Sequence, residues 1–281
     1  MDGATRSIRT LTRAEVDTAV DWAAREGWNP GLADASAFLA QDTHAFRGLF
    51  LDGALGAVIS ATRYAGGFAF IGFYICRPDL RGEGHGLALW QDTFRTLDGP
   101  VGLDAVVEQQ GTYAHDGFVR AYANFRFGGM AAPAGAPDPR VVDITPAHLD
   151  AVTALDRACF GFPRQDFLKV WLAPPQGRAC VFVEDGAVKG YGVIRRCRAG
   201  WKIGPLFADG AEVAGALFST LAQTAAGDQV FLDIPDPNSA ARALAERAGL
   251  APVFETGRMY RGTGPDLPLE RIFGITTFEL G

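Results

Sequence analysis

The sequence predicts an α/β protein made of two similar halves. Three observations predict it. Apolar strand-like runs alternate with amphipathic helical stretches along the chain, and a glycine-rich turn over residues 82–86 joins one such run to one such helix. Landmarks of the first half also recur in the second at a nearly constant interval. The Asp-Gly turns at 52–53 and 185–186 lie 133 positions apart, Leu103-Asp104 and Leu232-Asp233 lie 129 apart, and Gly117-Phe118 and Gly249-Leu250 lie 132 apart. Each half is the size of a whole domain, so the chain reads as a tandem pair: 1–128, a Gly/Ala/Pro-rich linker at 129–139, and 140–281.

In the first half, Ser7 to Leu11 reads as a short strand. Thr12 followed by Glu15 spells a capping box for a helix with Val16, Ala19, Val20 and Ala23 on one face. That helix stops in the turn-rich stretch from Glu26 to Gly31, and a second helix runs from Ala33 to Leu39. Arg47–Leu51 and Leu55–Thr62 flank Asp52-Gly53 as a hairpin. Phe68–Ile75 is the next strand, Leu87–Leu97 a helix, and Val101–Val107 a strand. Gln109–Asp116 is a short helix stopped by Gly117, and Arg120–Phe127 is a closing strand. The pattern then restarts. Arg140–Ile144 is a strand, Thr145-Pro146 opens a helix, Arg164–Leu172 is a second helix, and Cys180–Ile194 repeats the earlier hairpin at Leu49–Ile59.

The glycine-rich turn carries the chemistry. In Arg81-Gly82-Glu83-Gly84-His85-Gly86, alternate glycines let backbone N–H groups approach a ligand. The following helix adds unpaired N–H groups and the positive end of its dipole, which suits a phosphate. A dinucleotide fingerprint requires a glycine where Leu87 or Leu89 stands, and a Walker A loop requires a Gly-Lys-Ser/Thr triplet that the chain lacks. The pattern Arg81-x-x-Gly84-x-Gly86, after a strand ending Ile75-Cys76-Arg77-Pro78, resembles the pyrophosphate loop of the GNAT acyltransferases, which bind acetyl-CoA. The order of strands and helices over residues 5–128 is similar to that family's, which implies a mixed sheet in each of two tandem GNAT-like domains. In the second half, Ile203–Asp209, Asp233-Ile234-Pro235, Arg258-Met259-Tyr260-Arg261 and the end from Phe273 resemble the C-terminal domain of two-domain bacterial GNAT proteins.

The resemblance implies a set of roles. Acetyl-CoA would be held by Arg81, Gly82, Glu83, Gly84, His85 and Gly86, and by the strand end Ile75-Cys76-Arg77, with backbone groups of Ile75 and Arg77 on the pantetheine arm. Tyr113, four residues before Gly117-Phe118, would protonate the leaving thiolate. The family's Asn near the start of that helix is replaced here by Glu108-Gln109-Gln110. Glu108, Glu26 and His115 stand as candidate bases, with water as a further route for the proton, and Trp28 and Asn29 would line the acceptor site. In the second half, Phe207-Ala208-Asp209-Gly210-Ala211-Glu212 keeps one of the three glycines and puts acidic residues at a helix start, and Ala245 stands at the place of Tyr113. That half is expected to bind no CoA and to support the first, with Arg258, Tyr260 or the segment Phe273–Leu280 shaping the acceptor pocket. The expected activity is acetyl transfer to a small amine by direct attack in a ternary complex. The alternative is a non-catalytic module that binds or senses acyl-CoA.

Composition bounds the partners. The 281 residues are 48% hydrophobic and 21% charged, as in a globular protein with a sizeable core. A net charge of -6 with no dense basic face argues against nucleic acid and mildly favours a cationic substrate. No apolar run reaches the length of a membrane span, and the polar N-terminus lacks a signal core. The dispersed Cys76, Cys159, Cys180 and Cys197 suggest a reduced, cytoplasmic protein, and the four His form no metal-ligand pattern. Oligomeric state is not legible.

Overall fold

The computed structural model describes residues 5–131 and 137–281. The first half forms β1 (Arg6–Thr10), α1 (Arg13–Arg25), α2 (Asp34–Gln41), β2 (Phe46–Leu51), β3 (Ala54–Arg63), β4 (Ala69–Cys76), α3 (His85–Phe94), β5 (Val101–Val106), α4 (Gln110–His115) and β6 (Val119–Met130). The second forms β7 (Val141–Asp143), α5 (Leu149–Phe160), α6 (Gln165–Trp171), β8 (Gly177–Glu184), β9 (Ala187–Arg196), β10 (Trp201–Ala208), α7 (Ala211–Ala222), β11 (Gln229–Pro235), α8 (Ser239–Arg247), β12 (Ala251–Arg261) and β13 (Ile272–Gly274). Local chemistry explains the starts and turns. The Thr12 N–H donates to the Glu15 carboxylate at 2.7 Å, as the capping box requires. Asp52 and Gly53 both take positive φ, the geometry of a tight hairpin.

These strands form one mixed sheet rather than two. Its order is β1-β2-β3-β4-β5-β12-β6-β11-β10-β9-β8-β7, with β13 added against β10. Only β4–β5 and β10–β11 are parallel. At the centre the halves exchange their last strands: β12 lies beside β5, and β6 lies beside β11. The exchanged strands pair with each other, and the residues opposite at the middle, Asn124 and Thr256, are separated by the repeat interval (256 − 124 = 132). A pseudo-twofold axis therefore passes between them. The halves read as 1–128 and 140–281 keep their chain order but not their own sheets. Of the stretch read as a linker, Gly129 and Met130 continue β6, and residues 132–136 lie outside the described residues.

Two buried ion pairs lock the exchange. Arg126 on β6 binds Asp233 on β11 through two hydrogen bonds of 2.7 and 2.8 Å, and Arg258 on β12 binds Asp104 on β5 through two of 2.8 Å. Each pair joins one half to the other. Side-chain alternation sorts the core into layers. One face of the sheet carries a single core shared by both halves, in which Phe38 of α2 stacks on Trp171 of α6 at 6.3 Å. On the other face α3 covers the first half, with Leu89 and Trp90 buried, and α7 and α8 cover the second, with Leu217 and Leu244 buried.

The parallel pairs part early. β4 and β5 are bonded only over Ala69–Ile71 and Val101–Leu103, and β10 and β11 only over Trp201–Ile203 and Val230–Leu232. Just past each fork stands a glycine, Gly72 or Gly204. The two forks are filled differently. In the second half β13 runs antiparallel to β10 in the gap, and the Ile275 N–H reaches the Asp233 carbonyl at 2.8 Å. A Cβ on Gly204 would stand 2.6 Å from the Ile275 carbonyl oxygen. The chain then crosses to the first fork, where a Cβ on Gly72 would stand 2.3 Å from the Glu279 carbonyl oxygen. Beyond that floor the first fork stays open.

Candidate active site

The open fork is the mouth of a cavity of about 780 Å³. Its walls are the free edge of β4, the glycine turn, the end of β5 with the following turn, and a fourth wall from the second half made of Phe254, Thr256, Phe278 and Glu279. The edge of β4 is free because of alternation. The Arg77 N–H bonds the Gly56 carbonyl on β3 at 2.9 Å, and Ile75 stands opposite Val58. Ile75 and Arg77 thus turn their backbone groups toward β3, and Tyr74 and Cys76 turn theirs to the gap. The expectation that Ile75 and Arg77 offer their backbones to a bound arm is therefore corrected by one residue. The Arg77 side chain is also committed, to Asp79 at 2.6 and 2.7 Å, and does not line the cavity.

The turn has the form of a cradle. Gly82 and Gly84 take φ of +85° and +80°, and a Cβ built on either meets nothing within 4 Å. The helical ladder of α3 opens with the Ala88 N–H on the Gly84 carbonyl at 3.0 Å, so the preceding N–H groups have no helical acceptor. These features fit the diphosphate of CoA. Arg81, Gly82, Gly84 and Gly86 line the cavity, but Glu83 and His85 do not. Their side chains meet each other instead, His85 Nε2 lying 3.1 Å from the Glu83 carboxylate. Arg81 is held by the Cys76 carbonyl at 3.0 Å and by Glu26 at 2.5 Å.

Tyr113, on α4, lines the cavity opposite the turn. Trp90 holds its ring with centroids 5.3 Å apart, and Phe118 meets it edge-on at 6.1 Å. Its hydroxyl makes no hydrogen bond to any described residue. Burial, seconded by Tyr74 and Asp116, raises the phenol pKa well above the usual tyrosine range, so the proton stays on. Tyr74 stacks on the same Trp90 at 5.3 Å, and burial pushes its phenol up to about 12.

The residues expected to line an acceptor site are placed differently from one another. Trp28 lines the cavity, but Asn29 does not. With φ of +52° it bonds Ala199 through both ends of its amide at 2.8 Å, tying the first half to the β9–β10 turn. Glu108 lines the rim and is exposed, while Glu26 is the ion-pair partner of Arg81. His115 does not line the cavity. Of the second-half candidates, the terminal segment reaches the site through Phe278 and Glu279. Arg258 serves the Asp104 pair, and Tyr260 packs with Phe68 away from the cavity. Phe254 and Thr256 of β12 were not singled out by the sequence, and only the strand exchange brings them here. Among the described residues no group of His, Cys, Asp or Glu could hold a metal ion, the four cysteines are free, and no helix is long and apolar enough to cross a membrane.

With the fork, the cradle and the swapped strands in view, the chain belongs to the GNAT acyltransferases. The profile of the acetyltransferase (GNAT) domain matches residues 152–274, the half that keeps the fold but fills its own fork. The holothin acyltransferase of Pseudoalteromonas sp. (strain SANK 73390) is 34% identical over 264 residues, covering 93% of this chain and 90% of that one. Among solved structures, a putative acetyltransferase from Pyrococcus horikoshii superposes with a TM-score of 0.84 at 21% identity, over 100% of this chain and 97% of its own. A tandem GNAT protein from the clavulanic acid biosynthesis pathway superposes with a TM-score of 0.66 at 15% identity, over 93% and 100%. Likeness at these identities carries the fold.

Proposed function

We propose that the protein transfers an acetyl group from acetyl-CoA to the nitrogen of a small amine in the first-half cavity, both substrates being bound at once. The observation that supports this most is the free edge of β4 running from the glycine cradle to the fork. An extended pantetheine arm can pair with the Tyr74 and Cys76 backbones there, as a strand would. An N–H on that edge polarises the thioester carbonyl. The amine nitrogen bonds to the acyl carbon, the carbon–sulfur bond breaks, and Tyr113 gives its proton to the departing sulfur. The amine's own proton leaves through a base on the acceptor side. Holothin, which the relative's name gives, is the first acceptor to try.

Thiol release from acetyl-CoA with holothin and a panel of alkyl and aryl amines, with mass spectrometry of the product, tests the reading. Calorimetry should give one CoA site per chain, since β13 fills the second fork. Binding of CoA with no transfer to any amine would instead leave an acyl-CoA-binding module.

A further inference from the structure

The base has a candidate that the sequence did not single out as one. We infer that Glu279, delivered to the first-half cavity by the terminal segment of the second half, takes the proton from the acceptor amine. The inference rests on the transferase reading above.

None of the other carboxylates that line this cavity or border it is both buried and unbonded. Asp104 is gripped by Arg258 and by Asn124. Glu26 holds Arg81 at 2.5 Å. Glu108 sits exposed on the rim. Asp79 is exposed and paired with Arg77. Glu279 is only 4% exposed and lines the cavity at the fork, with its backbone packed on Gly72. Its carboxyl accepts no hydrogen bond from any described residue. Its oxygens are not sealed off either, so the contact they keep is with the cavity. A buried carboxyl with no protein donor, on a residue that lines an open site, is free to accept a proton from a ligand.

The charges around it support the role. Arg126, on β6, is used up by Asp233 and the Trp28 carbonyl. Arg195, on β9, is paired with Asp34 on α2. Lys202, on β10, is 1% exposed and has the Asn29 carbonyl at 3.0 Å as its hydrogen-bond partner. The two Arg–Asp pairs cancel, leaving Lys202 as the counter-charge for Glu279. Burial raises the Glu279 pKa and these cations only partly oppose it, which brings the carboxylate closer to the basicity a general base needs near neutral pH. Burial likewise lowers the pKa of Lys202.

In the transfer step the electron pair of the amine forms the carbon–nitrogen bond, and a Glu279 oxygen takes the proton freed from nitrogen. The proton given to sulfur comes from Tyr113, so the enzyme ends with Glu279 protonated and Tyr113 short of one proton. Exchange with water restores both.

The test uses the full chain with acetyl-CoA and the best amine from the panel. Glu279→Gln keeps the shape of the side chain and removes the base. Its kcat should fall by about 10²–10⁴, with the CoA dissociation constant within about twofold of the parent. Added formate should restore part of the rate to Glu279→Ala, which a purely structural role would not allow. In the parent, kcat should fall on acidification through an apparent pKa above the ordinary glutamate range, and this limb should vanish in Glu279→Gln. A folded Glu279→Gln with kcat within about twofold of the parent overturns the role while leaving the transferase reading intact. A parent kcat that is flat from pH 5 to pH 8 does the same even if the variants do not fold. A parent that acetylates no amine at all overturns both.

Discussion

As the proposed acid, Tyr113 has two demands to meet: to keep its proton at neutral pH and yet to present it to the cavity. Burial against Trp90 and Phe118 meets the first, and the unbonded hydroxyl meets the second. Tyr113→Phe keeps the stack and removes the donor. Turnover should fall by about 10²–10⁴ with little change in CoA affinity, and kcat measured beside calorimetric binding checks it. Gly84→Asp makes the opposite prediction. It forces a side chain onto φ of +80° and sets a negative charge in the cradle. Loss of a charge-assisted contact costs roughly 1.5–3 kcal/mol, so CoA should bind about tenfold or more weakly, which calorimetry reads directly. Tyr113 and the glycines, which line one cavity, were legible as a group because each stands in a short local pattern. The sequence did not disclose that Asn29 is spent on Ala199, or that Tyr74 and Cys76 rather than Ile75 and Arg77 face the gap, because both depend on what lies across from them.

Elements tell the same story one step up. The start of α1 was legible because Thr12 and Glu15 are three residues apart and satisfy each other. The hydrogen bond from Arg9 comes first, and the Thr12 N–H adds to it; against the upward push of burial they hold the Glu15 pKa down to about 2, from an ordinary 4.5. A carboxyl depressed in the folded state stabilises it above its unfolded pKa and loses that effect as pH falls through the folded one. Glu15→Ala should therefore cost about 1 kcal/mol at neutral pH, and its deficit should shrink between pH 4.5 and 2, as urea melts at several pH values can show. β12 was harder to read. Pro252 and Gly257 interrupt any alternation, and its role is fixed by neighbours some 120 to 160 positions away. β13 has only three residues, too few for a period, yet it decides which fork is open.

Across the whole molecule the exchange of β6 and β12 makes the halves interdependent. The repeat at 129–133 was visible in the sequence, and so was the alternation of β6. Neither says which partner a strand will choose, and two separate sheets would satisfy both. The buried clamps make the choice measurable. Arg126→Met leaves Asp233 buried without its counter-charge and should cost about 3–5 kcal/mol, and replacing Asp233 by Leu as well should recover part of the loss. Because one sheet and one shared core run through both halves, urea should unfold the parent and the variants in a single transition when followed by fluorescence and by circular dichroism. Two separated transitions would show that the halves melt independently.

The borrowed wall also sets an order of events during synthesis. When β5 leaves the ribosome its outer edge has no neighbour, and the strand that will cover it starts at Ala251. Until then the nascent chain carries an open edge of the kind that invites mispairing with other chains. The cradle can form early, since its strand, turn and helix are contiguous. The wall opposite it cannot, because Phe254, Phe278 and Glu279 follow Tyr113 by more than 140 residues. A polypeptide that stalls or is cut short before them would keep the cradle and lack one wall of the cavity, so on the proposed reading it would bind CoA without acetylating an amine.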